Sequence, residues 1–198
     1  MLKLTTWEAA KSMRIDRLEE FLAEQLHALN AISAQNILQV AEVLKKTSNS
    51  NNRIWIAGNG GSATTAAHFA VDLSKGCFTK TQQRYLAICL NEGLGIQSAW
   101  ANDESYEMSL SRSLETQANK GDCFIAISGS GNSTNILNAI NKAQDMELRT
   151  VSFLGMGGGK SKGLSNYEII INSQDMQIIE NAHVYLVHAI YKILTSVN

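Results

Sequence analysis

The chain has 198 residues, 17 Lys and Arg against 18 Asp and Glu, and a formal net charge of -1. That length suits one domain with its own core, with no need of disulfides or a structural metal to fold. No block of like charges is present, which excludes the electrostatic footprint of a nucleic-acid binder, so affinity for an anion has to be local. The cysteines Cys77, Cys89 and Cys123 show no CxxC spacing and each borders an apolar run, which reads as reduced core thiols in a cytoplasmic protein. The start, MLKLTTWEAAKSMRIDRLEE, is too charged for a signal peptide. No stretch approaches the roughly 18 apolar residues of a membrane helix, so no membrane partner is expected. Proline is absent, where usage of about 5% predicts roughly ten, and helices have to stop at Gly, Asn and Ser.

Residues 6–29 place Trp7, Ala10, Met13, Leu18, Phe21, Leu22, Leu26 and Leu29 at three- and four-residue steps, the period of an amphipathic helix. A second helix is predicted from about Ser33 to Lys46, with Ile37, Val40, Ala41 and Leu44 on one stripe and Ser33 as N-cap. After the polar turn SNSNN the pattern changes. Short apolar runs IWIAG, YLAICL, CFIAIS, TVSFLG and YEIIIN alternate with helical stretches. These run to about Leu73, around Ile96 to Trp100, from Ser133 to Ala143, over a short polar helix, and from about Ile178 to Thr195. Strands so short and uniformly apolar are buried on both faces of a parallel sheet. The expected class is therefore α/β, a three-layer α/β/α sandwich with a five-stranded parallel sheet plus N-terminal helices. With no linker, repeat or low-complexity tract, 1–198 reads as a single domain and 1–50 as its helical extension.

Two loops suit anions. In IWIAGNGGSATTAAHFAVDL a strand, a turn and a helix follow one another, with Gly58, Gly60 and Gly61 around Asn59 and Ser62. Glycine there lets backbone N–H groups approach a ligand, and the helix points its positive end at the same place. In AISGSGNSTNIL, Ser128, Ser130, Ser133 and Thr134 stand beside Gly129 and Gly131, again between strand and helix. Hydroxyls and amides at a helix N-terminus suit a phosphate monoester without Lys or Arg. Either loop alone is equally suited to turning the chain; two after neighbouring strands point to a phosphosugar cradle. Neither matches GxGxxG or GxxxxGK[ST]. The third cluster, LGMGGGKSKG at 154–163, lacks the hydroxyl set and reads as a turn.

The segments GNGGSATTAAHFAVDL, AWANDESYE and AISGSGNSTN, with a terminal helix carrying two histidines, resemble the phosphoheptose isomerases of the sugar isomerase (SIS) superfamily. The order is the same and the spacing little changed from the first helices to the last. The resemblance implies a flavodoxin-like sandwich and a homotetramer with active sites at subunit interfaces, to which the N-terminal extension contributes. It also implies interconversion of sedoheptulose 7-phosphate with a glycero-manno-heptose 7-phosphate. Carried over by position, the substrate contacts fall on Asn59, Gly60, Gly61, Ser62, Asn102, Asp103, Ser128, Gly129, Ser130, Ser133 and Glu180. The metal and catalytic positions fall on His68, Asp72, Glu180 and His188, with one Zn2+ per subunit. The family usually carries Glu where this chain has Asp72, Gln where it has Glu180, and a hydroxyl residue where it has Gly129.

His68 and Asp72 are four apart, so both lie on one face of the helix that begins at the first loop, and imidazole plus carboxylate suits zinc with an open position. Glu180 and His188 are eight apart, about 80° round a helix but roughly 12 Å along it. Either Glu180 lies in a bend before the helix proper, or the two reach different subunits' sites. His183 is some 140° round from His188 and reads as structural. Trp7, Trp55 and Trp100 read as packing. An aldose-ketose isomerisation needs a base to move a proton between C1 and C2 and an electrophile for the enediolate. Glu180 or Asp72 supplies the base, with Glu180 favoured, and His188 holds metal or relays a proton. One expectation is thus an isomerase of heptose phosphates serving lipopolysaccharide, capsule or related sugar-nucleotide synthesis. The competing ones are a non-catalytic SIS regulator or scaffold similar to replication-initiation regulators, which has no need of the quartet His68, Asp72, Glu180 and His188, and an isomerase of another phosphosugar.

Overall fold

The computed structural model describes the backbone of residues 2–196 and the side chains of residues 11 and 13–196; Trp7 and Ala10 of the first stripe lie outside those side chains. Two helices, α1 (Leu2–Asn30) and α2 (Ala34–Asn49), precede the sheet. Ser33 caps α2 as its sequence predicts, its Oγ accepting from the Asn36 N–H at 3.3 Å. Only part of the α1 stripe finds the core. Phe21, Ala28 and Leu29 pack inward, whereas Leu18, Leu22 and Leu26, one turn apart along another row, are all more than half exposed.

The strands are β1 (Arg53–Gly58), β2 (Leu86–Cys89), β3 (Cys123–Ser128), β4 (Arg149–Leu154) and β5 (Tyr167–Ile170), in one parallel sheet of order β2-β1-β3-β4-β5. Every residue of β3 is buried, which is why the run carries no polar alternation. Successive side chains go to opposite layers. Ile54, Ile56, Ile125 and Ile127 face α2, α3 (Gly61–Val71) and α8 (Met176–Thr195) through Val40, Leu44, Phe69, Leu186 and Ile190. Trp55, Ala57, Phe124 and Ala126 face α6 (Tyr106–Gln117) and α7 (Thr134–Asp145) through Leu110, Leu114, Ile136 and Ile140. Each large side chain so buried stabilises the fold by about 1.5–3 kcal/mol, so these two layers dominate. Strand order reverses between β1 and β3. There α3 leaves to one face and α7 to the other, opening the crevice where such sheets bind ligands.

Three stretches differ from the sequence expectation. Between β2 and β3 lie two helices, α5 (Leu94–Asp103) and α6, where one short helix was predicted. The buried face of α6 includes Ser109, Ser111 and Ser113 beside Leu110 and Leu114. These serines bond back to the carbonyls of Tyr106, Met108 and Ser109, so a helical face is buried without a hydropathy signal. The helix predicted to stop near Leu73 continues from α3 through a π-helical stretch, Asp72–Cys77, into α4 (Phe78–Thr81). Gly76 does not end it; a Cβ there would meet the Tyr191 ring at 2.9 Å, so glycine admits α8. The short polar helix after β4 is a 3-10 stretch, Met156–Ser161, broken by Gly157, Gly158 and Gly159 at positive φ.

The three cysteines are buried and unpaired. Burial pushes the Cys77 thiol up to about 11 and that of Cys123 up to about 12. Among the described residues, no helix is long and apolar enough to cross a membrane.

Candidate active site at the β1/β3 crevice

At the end of β1 the chain turns hard into α3. A Cβ on Gly58 would lie within 2.7 Å of Ser62, and Gly60 takes φ 53°, ψ -123°; only glycine suits both positions. Asn91, just beyond β2, brackets Gly58 by accepting from its N–H at 3.1 Å and donating to its carbonyl at 2.9 Å. The side chain thereby adds a rung to the β1–β2 ladder where backbone pairing has ended.

The second loop follows β3. Ser128 Oγ accepts from the Gly131 N–H at 3.1 Å and Ser130 Oγ from the Asn132 N–H at 3.2 Å. Ser133 is the N-cap residue of α7 but makes no capping side-chain bond. The glycine cluster at 157–159 braces this loop. Lys160 N–H donates to Asn132 Oδ1 at 3.0 Å, and the Ser161 N–H and hydroxyl both donate to the Gly131 carbonyl at 2.9 Å. The loops are also tied to each other. Asn59 and Asn135 exchange amide hydrogen bonds at 2.9 and 2.8 Å, and Tyr106 Oη donates to Asn59 Oδ1 at 2.8 Å. Asn102 and Asp103 stand exposed at the end of α5, where Asn102 Nδ2 donates to Asp103 Oδ1 at 3.0 Å.

At the far end of α3 three candidate ligands converge. His68 Nε2 and His188 Nε2 are 3.3 Å apart, and Asp72 Oδ2 lies 3.6 Å from the first and 3.8 Å from the second. Two nitrogens on one tetrahedral zinc are separated by about 3.3 Å, given bonds of about 2.0 Å. Asp72 Oδ2 is shielded from solvent yet has no hydrogen-bond partner, the condition expected of an atom meant for a cation. The residues present therefore fit zinc as a two-nitrogen, one-oxygen set. A cleft of about 330 Å³ adjoins it, lined by Asp72, Lys75, Gly76, His188, Tyr191 and Lys192. A larger cavity of about 650 Å³ between α2 and the end of α8 touches none of these site residues.

The structure does not bring Glu180 into this set. Helix α8 runs unbroken from Met176, capped by Asp175, whose Oδ1 accepts from the N–H groups of Gln177 and Ile178. There is no bend at Glu180, and the helical rise separates it from His188. The Glu180 carboxylate lies instead against Gly61, where a Cβ would come within 2.6 Å of its Oε2. A negative charge at the first turn of α3 is favourable to that helix. The absence of a hydroxyl residue at Gly129 has a similar local cause, since a Cβ there would overlap Met176 Sδ. His183 is buried against Phe153, with Nε2 3.3 Å from the Leu154 carbonyl. Burial lowers its pKa to about 4, so it stays neutral. Trp55 is buried and donates to Asp122 Oδ2 at 2.9 Å.

Sequence reasoning missed Asn91, Tyr106 and Asn135. Tyr106 lies within AWANDESYE, but its partner Asn59 is 47 residues away. Asn135 follows Thr134 in the second loop's helix and pairs 76 residues back. No local spacing announces either contact.

The SIS domain family matches residues 8–155. A phosphoheptose isomerase of Helicobacter pylori is 38% identical over 170 residues, 86% of each chain. One from Aliarcobacter butzleri is 35% identical over 180 residues, 89% of this chain and 94% of that one. The solved structure of phosphoheptose isomerase GmhA from Neisseria gonorrhoeae superimposes with a TM-score of 0.82 at 26% identity, covering 92% of this chain and 98% of that chain. By the matching domain model and these relatives, the chain belongs to the phosphoheptose isomerase family of SIS-domain proteins.

Proposed function

We propose that this isomerase converts sedoheptulose 7-phosphate to glycero-manno-heptose 7-phosphate, serving surface-polysaccharide synthesis in the cytoplasm. One observation carries the reading: the helix that starts at the first anion loop ends at the His68, Asp72 and His188 set, so one element spans a phosphosugar cradle and a candidate metal centre. The names of the related isomerases support it.

Ser128, Ser130, Ser133 and the amides at the N-terminus of α7 bind the phosphate. Asn59, Asn102 and Asp103 orient the sugar hydroxyls. Glu180 takes the proton from C1 as the C1=C2 bond forms and the carbonyl oxygen at C2 gains a proton. It then returns a proton to C2 as O1–H is lost and the C1 carbonyl closes. His68, Asp72 and His188 would hold zinc, which supplies positive charge for the oxygens of the enediolate. His188 also stands where it can relay a proton if the metal is held by the other two.

Since Glu180 and His188 of one chain diverge along α8, we assign them to different sites of a homotetramer. The half-exposed ligand set and the apolar row Leu18, Leu22 and Leu26 support such an assembly. The test is metal analysis of the purified protein together with an isomerisation assay on sedoheptulose 7-phosphate. Stoichiometric zinc in the wild type, and turnover lost in both His188→Ala and Glu180→Ala, are expected. Absence of both metal and turnover sinks the isomerase and leaves a phosphosugar-binding protein; full turnover in the two variants refutes the residue roles. Gly129 favours one alternative, an isomerase of another phosphosugar, because it leaves the loop without a hydroxyl there and Met176 fills the space beside it. Faster turnover of a different ketose phosphate selects it.

A further inference from the structure

The hydrogen bonds around Asn59 determine what the first loop can offer its ligand. Asn59 Oδ1 accepts from Tyr106 Oη and from Asn135 Nδ2, both at 2.8 Å, which uses both lone pairs of the carbonyl. Its amide nitrogen donates one hydrogen to Asn135 Oδ1 at 2.9 Å. Only the second N–H of the carboxamide is left uncommitted.

We infer that Tyr106 and Asn135 are positioning residues that hold the Asn59 carboxamide at a fixed place in the crevice, so that its one uncommitted hydrogen-bonding position is ordered before a phosphosugar arrives. This rests on Asn59 being a substrate contact, as proposed above. A carboxamide free to swing would have to be ordered by the ligand at a cost in side-chain entropy, and that cost would appear as weaker binding. The lock is assembled from three segments: Asn59 after β1, Tyr106 at the start of α6 and Asn135 at the start of α7. Tyr106 is 58% exposed, so its hydroxyl holds Asn59 while its ring adds little to the core. Asn135 is 3% exposed and serves Asn59 with both ends of its amide.

The test compares wild type, Tyr106→Phe, Asn59→Ala and the double variant, reading Kd for sedoheptulose 7-phosphate by calorimetry, kcat and KM by assay, and the melting temperature. Tyr106→Phe is expected to raise Kd and KM roughly three- to tenfold, the worth of one hydrogen bond, with kcat and melting temperature unchanged. In the Asn59→Ala background the same change is expected to do nothing further, because Tyr106 acts only through Asn59. An unchanged Kd in Tyr106→Phe overturns the inference. So does an equal loss in the Asn59→Ala background, which would put the phenol on the ligand itself, or a lowered melting temperature in step with the loss. Wild type that binds the sugar without turning it over refutes the isomerase and leaves this inference to the Kd comparison; wild type that does not bind it refutes both.

Discussion

Where α3 begins, the turn from Gly58 to Ser62 is held from several sides: Asn91 brackets Gly58, Asn135 and Tyr106 hold Asn59, and Glu180 covers Gly61. Where α3 ends, His68, Asp72 and His188 stand with 46, 21 and 49% of their side chains exposed, and Asp72 Oδ2 has no hydrogen bond. The first region is organised by hydrogen bonds within one chain before any ligand arrives. The second has converging lone pairs and little else, so a bound cation would order it. A binding end completed by the fold thus sits on the same helix as a reactive end completed by what it binds.

The largest expected effect breaks the reactive end alone. His188→Ala removes one nitrogen of the ligand set and is expected to cost about a thousandfold in kcat, roughly 4 kcal/mol of transition-state charge stabilisation, with metal content lost and phosphosugar Kd little changed. Loss of Kd together with kcat would show that the two ends are not separable.

Next comes the other histidine of α8. His183 titrates near 6.5 in the unfolded chain and near 4 when folded. Between those values the unfolded state binds more protons, so stability is full above about pH 6.5 and falls as pH drops toward 4, by on the order of 3 kcal/mol. Urea unfolding at pH 7 and pH 5 reads this, and His183→Gln is expected to flatten the difference without changing metal content. An equal pH dependence in that variant would place the effect elsewhere.

Gly129→Thr probes the binding end. Its Cβ meets Met176 Sδ, so a loss of about 1–3 kcal/mol in stability and a weaker phosphosugar Kd are expected. Met176→Ala in the same chain should recover most of both. A freely tolerated threonine would show that the loop has no need of glycine there.

The smallest effect is that of Ser128→Ala. It leaves the Gly131 N–H, held at 3.1 Å, without its acceptor in a buried loop. About 1 kcal/mol of stability and a several-fold rise in KM are expected, with kcat unchanged.

Much of this was legible in the residues. The five apolar runs placed the strands, and Gly58–Ser62 and Ser128–Ser133 placed the loops, because strand burial and glycine turns are local properties. The His68/Asp72 pair was readable from its spacing, and the 3.6 Å contact follows from one helical turn. Helix α6 was not, since its buried serines hide their helical period. Nor was the separation of Glu180 from the ligand set settled, because spacing on α8 allowed either a bend or a straight helix.

The sequence by itself determined the element types, the two anion loops and the residue types at both ends of α3, since each depends on neighbours within a few positions. Only the tertiary structure decided that the loops flank one crevice, that Asn135 and Tyr106 hold Asn59, that Met176 fills the space beside Gly129, and that His188 joins His68 and Asp72 while Glu180 goes to Gly61. Each of those contacts joins elements that only the order of the sheet and the packing of α8 on α3 bring together.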